Sequence, residues 1–551
     1  MPALNSDSSR KHGLSRPWLK RLRFPALLVA VLVLAAGLRV ANLEHGLPEV
    51  IHPDEPSIVL PALRIADIAR FDPDPGFYHY PALPIYMHSV VFYSAGTLFS
   101  LSGEMSRPEL PDENTAIAMG RWLTTFFGWA TVGVVFAIGC LAGSKTAGLL
   151  AALFLAVTPF HAMDSHYANV DIFMTFWGAL AFAFAVGFVR WGGTRRYLAA
   201  ALCIGLAAAS KYQAVLMIGI LPVALLLRRG SGTWKRGFTL MLLSGAMLAA
   251  ASFVVTAPYT ILEFDGFLQA MSQELQHQAE GHWGWDLNPG GWLYTRGVYQ
   301  LLAGMPFLLG LPLHLVVLAG IIWMALRRDR NMLLLAAAAG PLFVVVCTSR
   351  LVFPRYWLPL TPFLVLPAAL MVDGMLRSGA RRGFRWLGVT ILLAILAHNL
   401  TITVSQLGLL EPPNATLASG WIVENIPPGS EVAQSGATRD FKIPGDTYRL
   451  SRFDVRRFLG GAPTPEWLVI SSWYKDAFAR GSYKLGAENQ FLKSLGSPGS
   501  GYELAKKFES EYIFESFYAA LDPNFGNQFQ CPDYAIYRKR TRAAHRAPPV
   551  H

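Results

Sequence analysis

The chain has 551 residues, 53% of them hydrophobic and 15% charged, against about 45–50% and about 25% in soluble domains. An ordinary soluble enzyme is excluded. The net charge is +11, but Lys and Arg fall in short clusters between apolar runs, as in loops held on the cytoplasmic side of a membrane, so no nucleic-acid partner is expected.

Residues 1–24 form a basic tail (Arg10, Lys11, Arg16, Lys20, Arg21, Arg23). The apolar run 25–43 follows without a small-residue cleavage site and is expected to be an uncleaved first span. A span needs about 20 mostly apolar residues. Eleven runs reach or approach that length: 25–43, 119–141, 147–162, 171–189, 198–209, 213–227, 238–257, 298–326, 331–347, 356–376 and 386–405.

A twelfth run, 81–101, decides the topology. If it crossed, the clusters beginning at Arg190, Arg228, Arg327 and Arg377 would all face outward, against the positive-inside rule. Its Pro81, Pro84, Tyr86, His88 and Tyr93 suit an interfacial segment. The expected fold class is therefore a polytopic α-helical membrane protein of about 11 transmembrane helices in a plasma or inner membrane, with its N-terminus cytoplasmic. Its transmembrane region is 25–405, with a long acidic first extracytoplasmic loop at 44–118. Residues 406–551 are expected to form a small extracytoplasmic α/β or α+β domain, with a helix at 415–425 and β-rich runs at 466–471 and 534–538.

Four groups of residues on the outer side could carry chemistry. Asp54 and Glu55, in His52-Pro53-Asp54-Glu55-Pro56, offer a general base and an anchor for a hydroxyl or cation beside the bilayer. Either acid could equally cap a following helix. Asp164-Ser-His166-Tyr-Ala-Asn169-Val-Asp171 fills the turn between the third and fourth spans, where Asp171 is either functional or an N-cap. Lys211, Arg350 and Arg355 are cations at outer span edges, suited to an anionic lipid head group or to snorkelling. His79, Tyr80, Trp283 and Trp285 are candidate sugar- or acceptor-binding residues with His166 and Asn169, although an interfacial aromatic belt would also explain the rings.

No HExxH spacing, Walker loop or dinucleotide-binding glycine motif is present. No cofactor is certain; a divalent cation such as Mg or Mn bridging carboxylate and phosphate remains compatible.

Taken together, Asp54-Glu55, Tyr80-Pro81-Ala-Leu-Pro84-Ile-Tyr86, Gly120-Arg121, Ala147-Gly148 through Ala152, Ser165 through Asp171, Gly205 through Tyr212 and Arg355-Tyr356 with Pro359 and Pro362 resemble the polyprenyl-phosphate-sugar-dependent glycosyltransferases of the GT-C class. The similarity is greatest to the branch of protein O-mannosyltransferases and the lipid A aminoarabinose transferase, over roughly 25–375, and Ala418 to Pro428 looks like a segment common in bacterial members. Related sequences often carry Lys-Pro-Pro or His-Pro-Pro where this one has His79-Tyr80-Pro81.

The resemblance implies an inverting transfer of sugar from a polyprenyl-phosphate carrier to a lipid, glycan or protein acceptor. Asp54 would be the base, Glu55 and Asp171 would orient acceptor or cation, and Lys211, Arg350 and Arg355 would neutralise the departing phosphate. Two rivals stay open: a flippase or transporter of the same amphiphile without chemistry, and a membrane anchor for a working C-terminal domain.

Overall fold

The protein is described by a computed structural model covering residues 17–48, 52, 54–70, 72–101, 110–228, 234–280, 296–349, 351, 353–378, 382–435, 443–478, 486–521 and 532–540. The chain enters through α1 (Pro17–Val40), then forms α2 (Glu55–Ala66) and α3 (Leu83–Leu101) within the expected first outer loop. Next come α4 (Glu113–Ala142), α5 (Lys145–Ala156), α6 (Pro159–Asp164), α7 (Asp171–Trp191) and α8 (Thr194–Ala208). Asp112 starts α4 by accepting bonds from the amides of Asn114 and Thr115, and Ser144 starts α5 by accepting from Ala147.

Among the described residues, six helices are long and apolar enough to cross a membrane: Glu113–Ala142, Asp171–Trp191, Gly237–Thr256, Arg330–Thr348, Pro354–Arg377 and Arg382–Gly408. They make the chain a multi-pass membrane protein. Several expected spans are broken. The run 298–326 is a pair of helices, Gly297–Leu309 and Leu311–Leu326, bent by 120°, because Gly310 takes φ +79° and Pro312 follows in the next first turn. The run 147–162 divides at Pro159 into α5 and α6, and 213–227 opens as a 3₁₀ turn, Tyr212–Gly219, before α9 (Ile220–Leu227).

The interior is built on Pro354–Arg377, whose most apolar stretch is 89% buried, with α4, α5, α7, Leu311–Leu326 and Arg382–Gly408 packed on it. Small residues let these helices close up. A Cβ on Gly139 would lie 2.6 Å from the Cα of Gly148, so α4 and α5 touch backbone to backbone. Helix α10 (Trp234–Thr256) lies at the rim and turns Leu240, Leu243, Met247 and Val255 outward, the arrangement expected where hydrocarbon replaces water. It is followed by α11 (Tyr259–Leu262) and α12 (Phe264–Glu280).

A second, smaller core holds the outer loop in place. Ile58, Val59 and Ala62 of α2 and Ile85 and Phe92 of α3 pack with Ile117 of α4 and with Ala168 and Val170 of the 163–170 turn. The segment expected to lie on the outer surface is thus one helix, α3, packed on α2.

After the helix Asn414–Asn425, five strands form a mixed sheet: β1 (Glu431–Ser435), β2 (Arg449–Phe453), β3 (Trp467–Ser471), β4 (Tyr502–Phe508) and β5 (Tyr534–Lys539), in the order β2-β1-β3-β5-β4. The β1 pairings with β2 and β3 are parallel; the β5 pairings with β3 and β4 are antiparallel. Along β3, Trp467 and Val469 face the core under Asn414–Asn425, while Leu468 and Ile470 face a core with Val455 and Leu492. The segment after β4 returns to the helical region: Tyr518 OH accepts a bond from the amide of Leu311 (3.1 Å), and the Phe514 ring stacks on His398 at 4.8 Å.

Candidate active site

Asp54 sits at the N-cap position of α2, yet its side chain makes no capping bond. Its carboxylate instead accepts a short hydrogen bond from Arg355 Nη1, and its amide donates to His52 Nδ1 at 3.3 Å. Burial opposes ionisation of Asp54, but the charges of Arg355, His52 and Lys211 outweigh it and hold the carboxyl below its ordinary 3.8. Asp54 is therefore ionised at neutral pH. His52 lies against Tyr167, ring centroids 4.6 Å apart, and burial holds its pKa below the usual imidazole range in spite of Asp54 and Glu55.

Glu55, the next residue, is held by a different set of partners. Its oxygens accept from Arg121 Nε and Nη2, both at 2.8 Å, and Oε1 also accepts from the Ala168 amide at 2.9 Å. Arg121 Nη1 completes the knot by donating to the carbonyls of Leu43 (2.8 Å) and His45 (2.7 Å). Both side chains are essentially inaccessible. With both oxygens hydrogen-bonded inside the protein, Glu55 ties the start of α2, and with it Asp54, to α4 and to the 163–170 turn.

Asp171 opens α7, and its side chain caps nothing. Asn169 does that work, its Oδ1 accepting from the amides of Asp171 (3.1 Å) and Ile172 (3.3 Å) while its Nδ2 donates to Asp164 Oδ2 (2.8 Å). Its amide is thus occupied at both ends. Asp171 Oδ1 is left to accept from Lys211 Nζ at 2.6 Å. Lys211 stands just before the 3₁₀ turn, and Arg355 lies in the first turn of another, Pro354–Leu360. Both cations thus come from broken helix starts, irregular backbone of the kind tolerated at membrane depth where it lines a cavity.

Lys211, Tyr80, His79 and Tyr356 line a cavity of about 460 Å³ whose other wall includes Met271, Leu275, Val345 and Val346. The Lys211 ammonium lies 5.2 Å from the Tyr356 ring centre and 5.9 Å from that of Tyr80. Burial, then the charge of Asp54, pushes the Tyr80 hydroxyl well above its ordinary value, with Arg355 opposing and Asp171 adding. One aromatic side chain thus feels both acids, and Asp54 and Asp171 converge on it from separate elements.

His166 does not line the cavity; its ring nitrogens lie 2.9 Å from the carbonyl oxygens of Ala162 and Ala41, and it braces the 163–170 turn. Arg350, Trp283 and Trp285 lie outside the described residues. Among the described residues, no three His, Cys, Asp or Glu side chains gather in a way that could hold a metal ion.

Three features escaped the sequence reading. Arg121 was legible only as part of Gly120-Arg121, without its partner. Asp164 is buried, and burial followed by the charge of Asp171 pushes its carboxyl up to about 8. The α12 side chains Glu274 and Gln278 reach the cavity from an element whose only sequence signal was its position in an outer loop.

Residues 114–259 match the family model described as dolichyl-phosphate-mannose-protein mannosyltransferase. Among solved structures, the chain is similar to the apo oligosaccharyltransferase of Archaeoglobus fulgidus, with TM-score 0.50 and 14% identity, over 85% of this chain and 72% of that one. It is also similar to ArnT from Cupriavidus metallidurans, in the apo state (TM-score 0.48, 16% identity, 84% of this chain and 95% of that one) and bound to undecaprenyl phosphate (0.45, 16%, 97% and 100%). No curated protein matches the chain by sequence. The chain shares the fold of the archaeal oligosaccharyltransferase.

Proposed function

We propose that the protein is a membrane glycosyltransferase that moves a sugar from a polyprenyl-phosphate carrier to an acceptor on the extracytoplasmic face, with inversion at the anomeric carbon. One observation carries this reading: at its Lys211 end, where Lys211 is paired with Asp171, an apolar-walled cavity is also lined by Tyr80, which feels the charges of Asp171 and of the Asp54–Arg355 pair. Such a cavity suits an amphiphile with an anionic head. The family description matched by residues 114–259 points to the same donor class, as does the resemblance of the sequence motifs. The basic loops favour the orientation, with the C-terminal region 406–551 outside and 25–405 as the transferase portion.

A donor phosphate entering this end competes with the two carboxylates for Lys211 and Arg355, and Arg can fork onto two phosphate oxygens. Drawing Arg355 away frees Asp54. The acceptor O–H or N–H attacks the anomeric carbon opposite the phosphate, its proton passing to Asp54. The bond from the anomeric carbon to the phosphate oxygen breaks, and the electron pair leaves with the polyprenyl phosphate. Negative charge grows on that leaving oxygen, so cations fixed beside it stabilise the transition state more than the ground state.

The test is purified full-length protein in lipid nanodiscs, offered a panel of polyprenyl-phosphate sugars with lipid, glycan and peptide acceptors, and read by mass spectrometry. Glycosylated acceptor and sugar-free carrier are expected. Labelled donor that crosses vesicles without releasing free carrier would overturn the reading in favour of transport.

A further inference from the structure

Helix α12 lays two adjacent stripes along the cavity wall. Met271, Leu275 and Ala279, each four residues apart, are apolar; beside them stand Glu274 and Gln278, also four apart. The polar stripe is wired to its surroundings. Gln278 Nε2 donates to Glu274 Oε1 (3.0 Å) and to Tyr356 OH (2.9 Å), and Ser349 Oγ donates to Gln278 Oε1 (2.7 Å). Tyr356 in turn is the ring that faces the Lys211 ammonium. A strip of carboxylate, amide and hydroxyl therefore starts one aromatic ring away from the cation assigned to the phosphate, and runs beside an apolar lane. A cavity filled only by hydrocarbon would be better served by an apolar wall throughout, because polar groups set against hydrocarbon are costly.

We propose that Glu274, Gln278 and Ser349 form the sugar-reading subsite of this cavity, and that it takes a neutral glycosyl group with free neighbouring hydroxyls. The inference rests on the functional reading above. An ionised carboxylate only accepts hydrogen bonds and has about four lone-pair sites, so Glu274, with Gln278 on Oε1 and the His277 ring 4.0 Å from Oε2, keeps capacity for sugar O–H donors. The Gln278 N–H groups and the Ser349 O–H are spent within the network, so these two residues hold the Glu274 carboxylate in place and offer a sugar hydroxyl only their remaining acceptor lone pairs. The Glu274 charge opposes a sugar that carries its own carboxylate. A site built to bond hydroxyls also rejects analogues that lack them.

The experiment measures binding to full-length protein in nanodiscs of three ligands: bare polyprenyl phosphate, its neutral hexosyl ester and its uronosyl ester. The wild type is expected to favour the hexosyl over the uronosyl ester. Glu274→Ala and Gln278→Ala are each expected to weaken the hexosyl ester roughly tenfold or more, the loss of a hydrogen bond to a charged or buried polar group. Binding of bare polyprenyl phosphate stays within about twofold, well inside the tenfold that 1.4 kcal/mol represents, which also shows the variants folded. Glu274→Gln should narrow the preference against the uronosyl ester.

Equal weakening of bare and glycosylated carrier would make the network a brace for α12 and overturn the subsite, as would variants that bind the hexosyl ester normally. Wild type that binds bare and glycosylated carrier alike removes the subsite but leaves transfer standing. Wild type that binds no carrier removes the functional reading and the subsite with it.

Discussion

Arg121 grips Glu55 through two parallel hydrogen bonds of 2.8 Å in a place neither water nor lipid reaches. The pair joins the start of α2 to α4, and through Ala168 to the turn before α7. It therefore sets the position of Asp54 relative to Asp171.

Breaking that knot should unfold the outer layer first. Arg121→Ala leaves a buried carboxylate uncompensated, a loss of about 3–5 kcal/mol. It is expected as a marked fall in the thermal midpoint of detergent-solubilised protein. Glu55→Gln, which keeps the shape and one acceptor oxygen, should fall less. A midpoint unchanged in Arg121→Ala would refute the knot.

Asp54→Asn should lose transfer by roughly 10²–10⁴-fold, the usual contribution of a positioned general base. Donor binding should persist, because the cations remain. Mass spectrometry of acceptor products alongside donor titration separates the two effects; normal turnover would remove Asp54 from the chemistry.

Acid should expose the competition for Arg355. In the free protein Asp54 has its pKa below 3.8, so kcat/KM should fall only as pH drops through that depressed value. In the donor complex, phosphate takes Arg355 and the carboxyl regains a higher pKa. The acid limb of kcat should then lie at higher pH than that of kcat/KM. Coincident limbs would mean that the donor leaves the Asp54–Arg355 pair closed.

Lys211→Met removes the proposed phosphate contact and also strands Asp171. Donor affinity should fall by roughly tenfold or more, and stability should fall as well. Adding Asp171→Asn should recover stability without recovering donor affinity. If the double variant regains both, Lys211 serves only Asp171.

Asp164 gives a second pH signature, in stability. Its folded carboxyl is raised to about 8 from 3.8, so the folded state holds that proton more tightly than the unfolded chain. Its penalty is absent below 3.8, grows as pH rises, and is complete above about 8. Asp164→Asn should therefore gain thermal stability over the wild type progressively from pH 5 to pH 9; a constant difference across that range would contradict the shift.

Asp171, Lys211 and Arg355 of the candidate site were legible in sequence because each stands at a span edge, where charge is conspicuous against an apolar background, and Asp54 because it belongs to an adjacent pair of acids in the first outer loop. Their pairing was not, since Asp54 meets Arg355 and Asp171 meets Lys211 across long stretches of chain. Local rules left Asp171 open between a functional role and helix capping; the capping oxygen comes from Asn169, two residues earlier, whose Oδ1 faces the amides of Asp171 and Ile172. The helices along the apolar runs were readable from composition. Their breaks at Pro159 and Gly310 were hidden inside continuous hydropathy, which does not register a bend. The polar stripe of α12 was invisible because its meaning lies in the wall opposite.

The hydroxyl of Tyr518 occupies the amide of Leu311 at the elbow of the bent helix pair. The strand-rich region is thus stitched to the membrane bundle at the point where a span folds back on itself. A chimera that exchanged everything after residue 411 with a relative's would leave that elbow's amide without its tyrosine unless the donor region brought an equivalent hydroxyl. Shuffling these two parts is therefore constrained at this elbow as well as at the Phe514–His398 stack.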